Sequence, residues 1–220
     1  QDAVDNSSNG DTILIKNGIY HEFVITTRSL TISSYGSDKP VIINDLIPRE
    51  TIRFYNVFGN IRLNNLVLKN RYNGDDDAIV DISCDDEVKI TNCTFSEGNT
   101  GINVWGAPII IEGNRFEDLD IGIEPKGYCM YFTNNTFSGN INFGIYGDPS
   151  NSGVREFSVA DCNFHDVGME PINLTDGTNE QFFEYLNITD VNISGCGGTG
   201  IRLFQSWSNL KISNVEVTEA

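Results

Sequence analysis

Residues 90–95, Ile-Thr-Asn-Cys-Thr-Phe, return as Ile-Glu-Gly-Asn-Arg-Phe at 111–116, as Phe-Thr-Asn-Asn-Thr-Phe at 132–137 and as Val-Ala-Asp-Cys-Asn-Phe at 159–164. Looser copies end at Leu68, Ile193 and Val217, so successive end points lie 27, 21, 21, 27, 29 and 24 residues apart. A period in that range marks a solenoid. The third position of each copy, Asn65, Asn92, Gly113, Asn134, Asp161, Asp190 and Asn214, has the composition of a tight bend in an Asx or left-handed conformation.

A second element follows each string at a nearly fixed distance. Gly101-Ile102, Gly122-Ile123, Gly144-Ile145, Pro171-Ile172 and Gly200-Ile201 place their Ile 7, 7, 8, 8 and 8 residues after the preceding string. Each continues in the apolar-x-apolar alternation of a strand with one buried face, as in Ile102-Asn103-Val104. The first copy keeps Val80-Asp81-Ile82 behind an inserted acidic loop. Three short strands per repeat, stacked at about 4.8 Å, bury alternate side chains in one continuous interior. The expected fold is all-β, a right-handed parallel β-helix of three-strand coils, 21–29 residues each, forming one domain over residues 1–220. A leucine-rich repeat shares the period but needs leucine dominance, which only the copy ending at Leu68 shows.

The chain has 220 residues, 39% of them apolar, with 14 Lys+Arg against 31 Asp+Glu, a formal charge of −17. That is enough apolar material for a core. The longest aliphatic run is Ile109-Ile110-Ile111, far below the roughly 20 residues of a spanning helix. The negative charge repels phosphate backbones and anionic lipid, so neither nucleic acid nor direct membrane insertion is expected.

The stretches Gly10-Asp11-Thr12-Ile13, Asn17-Gly18-Ile19-Tyr20, Phe23-Val24-Ile25 and Leu30-Thr31-Ile32 resemble the start of the secreted pectin-lyase-like β-helices. Similar openings occur in alginate lyase and chondroitinase B type polysaccharide lyases, in NosD-like proteins and in repeat-bearing surface proteins. The resemblance implies a short N-terminal capping helix, here Asp2 to about Asn6, and a substrate groove along one face. The last repeat stops at Ala220 with no covering segment, so we expect a portion of a longer chain, or self-assembly through the open coil end.

On the second element the outward residues Asp81, Asn103, Glu124, Tyr146, Asn173 and Arg202 form one ladder, with Trp105, Lys126, Asp148, Thr175 and Phe204 beside it. Aromatic faces among polar groups suit a sugar chain, whose rings stack while its hydroxyls bond. The expected carbohydrate-binding residues are Trp105, Tyr146, Asn103, Glu124 and Arg202. Uronate elimination needs a base and a cation, commonly with Ca²⁺. Lys126 with Glu124 and Asp148 is the best catalytic trio, although those carboxylates tie up the ammonium unless Ca²⁺ occupies them. Asp-Pro-His-Glu of the C5-epimerases, Gly-His-Gly of the polygalacturonases and Trp-Ile-Asp-His of the pectate lyases are all missing.

Asp75, Asp76, Asp77, Asp85 and Asp86 are candidate Ca²⁺ ligands, without the spacing of an EF-hand, so a solvated loop is the plainer reading. Cys93 and Cys162 share an inward column with Leu66, Val191 and Val215, where Asn114 and Asn135 suggest an internal amide stack. Five cysteines without CxxC spacing predict neither a disulfide framework nor zinc. Sequons at Asn6, Asn92, Asn134, Asn173, Asn187 and Asn192 fit a glycosylated exterior. The reading is a non-catalytic extracellular or cell-surface module, structural, adhesive or envelope-building, that contacts polysaccharide or other surface proteins and needs no cofactor. The alternative is a Ca²⁺-assisted lyase or epimerase of uronic-acid polymers.

Overall fold

The computed structural model describes residues 1–72, 78–106, 108–127, 129–147, 156–174, 183–203 and 207–218. After a single helical turn, Asp2–Asp5, the chain winds as a parallel β-helix with three faces. The first sheet stacks Thr12–Ile15, Thr31–Ser34, Ile61–Asn64, Val88–Thr91, Ile109–Glu112, Cys129–Thr133 and Glu156–Ala160. The second stacks Ile19–His21, Val41–Asn44, Val67–Asn70, Thr94–Ser96, Arg115–Glu117, Thr136–Ser138 and Asn163–His165. Val24–Thr26, Ile52–Val57, Ala78–Cys84, Thr100–Gly106, Ile121–Gly127, Ile141–Gly147, Val167–Leu174 and Ile201–Leu203 make the third, eight-stranded sheet.

One departure concerns the last coils. The first two strands, expected as separate pieces, run on as Phe183–Ser194 and Trp207–Thr218, which pair in parallel and join two faces into one sixteen-stranded sheet. The bend between them survives, because Asp190 and Asn214 sit at φ 54° and 52°. All seven residues of the predicted turn column are left-handed, with Asn65, Asn92, Asn134 and Asp161 between 52° and 55° and Gly113 at 66°. Asx side chains tolerate this region better than any residue but glycine.

Phe95, Phe116, Phe137 and Phe164 are register partners in successive coils. Their rings stack at centroid distances of 5.0, 4.8 and 4.6 Å, tilted by no more than 8°. The Gly-Ile motif is the other half of this packing. A Cβ on Gly122 would lie 2.5 Å from the Gly144 carbonyl oxygen and 2.7 Å from the Phe137 ring. Gly101 and Gly144 stand in the same relation to Phe116 and Phe164. Each glycine therefore clears the space that a phenylalanine later in the chain fills.

Where the inward column turns polar, it closes on itself. Asn114 Oδ1 accepts the Cys93 backbone N–H at 2.8 Å, and the Asn114 amide group donates to the Ile90 and Glu112 carbonyls. Asn135 donates to the Ile111 carbonyl at 2.8 Å. Both asparagines are buried, and the expected amide stack is present. Burial pushes the Cys93 thiol up to about 12 and the Cys162 thiol up to about 11, as befits packed apolar residues.

Candidate functional site

Alternation on the third sheet sends Ile102, Val104, Ile123 and Ile145 inward and leaves a ruled outer wall. Strand pairing aligns Arg53 with Asp81, Asp81 with Asn103, Asn103 with Glu124, Tyr146 with Asn173, and Asn173 with Arg202. Beside this ladder runs Ser83, Trp105 and Lys126. Trp105 is 49% exposed. Asp148, Thr175 and Phe204, expected to continue that column, lie outside the described residues.

The wall extends one coil further toward the N-terminus than the sequence reading carried it. A bulge follows Phe54, with Asn56 at φ 50°, and it leaves Tyr55 49% exposed in the coil next to Ser83. The Arg53 guanidinium lies 5.4 Å from the Tyr55 ring centroid, a cation–π contact. Ile52-Arg53-Phe54 carries the same apolar-x-apolar signature as Ile102-Asn103-Val104, which was the signal available for finding it.

Polar groups on the wall are bonded to one another. Arg53 reaches Glu50 at 3.3 Å and Asp81 at 3.4 Å, and Asn103 donates to Asp81 at 3.0 Å. Burial is the main cause of a raised Asp81 pKa; Glu50 adds to it, while Arg53, Lys126 and Asn103 oppose it. Lys126 Nζ meets Glu124 Oε1 at 2.8 Å, so two members of the catalytic trio are joined to each other. Glu170, buried and unforeseen, receives Arg202 Nη1 at 2.8 Å and the amide group of Asn173.

That last contact corrects two expectations. Asn173 is not an outward rung: its side chain folds onto Glu170, the residue is 3% exposed, and its Oδ1 is buried without a partner. Its sequon is thereby closed to a glycan in the folded chain. Asn6, Asn92, Asn134 and Asn192 are exposed, and Asn187 is half-buried with a buried Oδ1. Tyr146 is half-buried, with its ring 5.0 Å from Phe143.

Of the candidate Ca²⁺ ligands, Asp75, Asp76 and Asp77 lie outside the described residues. Asp86 Oδ2 accepts the Gly59 N–H at 2.8 Å, and Asp85 follows the bulged strand pair in the same turn. Among the described residues no three His, Cys, Asp or Glu side chains gather as a metal site would require. No helix among them is long and apolar enough to cross a membrane.

A family model described as a right handed beta helix region matches residues 56–180. Among solved structures, a pectin methylesterase from Aspergillus niger in deglycosylated form aligns with a TM-score of 0.64 at 13% identity, over 100% of this chain and 81% of that one. The PL6 family alginate lyase AlyGC aligns with a TM-score of 0.55 at 13% identity, over 98% of this chain and 38% of its own length. At that identity the likeness is one of fold. No curated protein matches the sequence. With more than half its length matched and three faces of parallel strands wound around a single core, the chain belongs to the right-handed β-helix family.

Proposed function

We propose that this chain is a non-catalytic β-helix module of the cell exterior or cell surface that holds polysaccharide along the outer wall of the third sheet. The observation that carries the reading is Trp105, half exposed on an in-register wall and flanked by Asn103, Ser83 and Lys126. A ring of that size left in water offers a stacking surface for a sugar, and the neighbouring amide and hydroxyl offer hydrogen bonds to its hydroxyls. The exposed sequons at Asn6, Asn92, Asn134 and Asn192 support an exterior location. The Lys126–Glu124 pair supports a holding role over elimination chemistry, since it leaves Lys126 committed to its neighbour.

A glycan microarray probed with the intact chain tests this. The expected result is binding that Trp105→Ala weakens about tenfold and that leaves every bound glycan intact. An array without signal overturns the binding role. Growth of unsaturated-uronate absorbance on alginate, pectate or chondroitin with Ca²⁺ overturns the non-catalytic one.

A further inference from the structure

The charges on the third-sheet wall carry the reading one step further, to the class of sugar. Among the described residues its strands present three cations, Arg53, Lys126 and Arg202. Each already faces a resident carboxylate: Arg53 has Glu50 at 3.3 Å and Asp81 at 3.4 Å, Lys126 has Glu124 at 2.8 Å, and Arg202 has Glu170 at 2.8 Å. Four carboxylates against three cations leave the set formally negative. A uronate carboxylate arriving at Lys126 would meet a Glu124 oxygen already in place, and it would approach a chain whose formal charge is −17. Like charges at that range repel strongly in a half-desolvated setting.

The aromatic groups are arranged for an uncharged chain. Tyr55 and Trp105 sit two coils apart on the same wall, a separation of about 10 Å at the inter-strand spacing. Between and beside them stand acceptors for hydroxyl donors: the Asp81 carboxylate, the Ser83 hydroxyl and the Asn103 carbonyl. Because the ladder pairs coil to coil, a strand touching both rings runs along the solenoid axis, across the β-strands. Resting on the polysaccharide-holding reading, we propose that this wall takes a neutral polysaccharide, free of uronic acid, laid along the solenoid axis over Tyr55 and Trp105.

The test is affinity electrophoresis and calorimetry of the intact chain with two panels. One holds neutral oligomers of xylose, glucose, mannose and N-acetylglucosamine; the other holds polygalacturonate and alginate oligomers; both are run at low and high salt. The expected result is retention by a neutral oligomer, little changed by salt, and weakened about tenfold by Trp105→Ala and by Tyr55→Ala. Glu124→Gln, which releases Lys126, is expected to raise uronate retention several-fold. Wild-type binding of uronate oligomers that depends on Trp105 overturns the neutral class and keeps the polysaccharide reading. Retention by neither panel overturns both. An unchanged response to uronate in Glu124→Gln, with the variant folded by circular dichroism, overturns the argument from paired charge.

Discussion

Asn135 Oδ1 accepts two hydrogen bonds from Asn114, the backbone N–H at 3.0 Å and the side-chain amide at 3.1 Å. Both residues are buried in the inward column, where neighbouring coils carry Cys93 and Cys162. The pair replaces apolar packing with a short ladder of amides, and no water is needed to satisfy it.

Removing one rung strands its neighbours. Asn135→Ala leaves the Asn114 N–H and the Ile111 carbonyl without their side-chain partner, so a loss of about 3 kcal/mol is expected. Urea midpoints of Asn135→Ala, Asn114→Ala and the double variant check this. The double variant should lose clearly less than the sum of the two singles.

Gly122 has no room for a methyl group. Gly122→Ala must push apart the Gly144 carbonyl and the Phe137 ring, and it should destabilise by about 3 kcal/mol. Phe137→Leu in the same chain relieves the ring contact but not the carbonyl contact, so denaturant titration should show partial rescue. Full additivity of the two losses would mean that glycine and phenylalanine are not coupled.

Left-handed backbone is the sole requirement visible at Asn134, which has φ 54° and an exposed side chain. Asn134→Val should cost about 1–2 kcal/mol, because a β-branched residue is disfavoured there. Asn134→Gly should stay within about 0.5 kcal/mol of the parent. Thermal melts of the two variants side by side give the answer.

Alkaline pH reads the Tyr131–Glu156 contact. The phenol donates to Glu156 Oε2 at 2.6 Å, and this bond, helped by burial and by the charge of Glu156, pushes its pKa up to about 12 from 10.0. A raised folded value means the folded state holds its proton longer. The stabilisation is therefore whole below pH 10 and lost as pH rises through about 12. Tyr131→Phe should be less stable by about 1 kcal/mol at neutral pH, discounted for partial exposure. The gap between parent and variant should close over that alkaline window.

How far the sequence could be read depended on whether one residue type meets one local demand. Asn, Asp and Gly recur at the first bend because few residues accept φ near 55°, so all seven positions were visible in advance. A second left-handed column, Glu97, Asp118, Gly139, Asp166 and Gly195, follows the second sheet and was missed. Glutamate is a poor left-handed former. Glu97 is held by Lys69 and by Arg71 at 2.5 Å, and that support comes from other parts of the chain. Asn173 failed for the same kind of reason: alternation points it outward, while Glu170, three residues earlier, draws it in. The wall itself followed from period-two patterning, but the pairing of its charges depends on side-chain reach, which spacing does not encode.

The coils that end at Phe116 and Phe137 are both 21 residues long, and their phenylalanines stack with ring planes within 8° of parallel. Excising residues 96–116 would bring Phe95 directly beneath Phe137 and shorten the molecule by one storey, about 4.8 Å. That storey contains Asn103 and Trp105. A natural or engineered gain or loss of such a unit would change the length of the outer wall while leaving the scaffold's interior pattern intact.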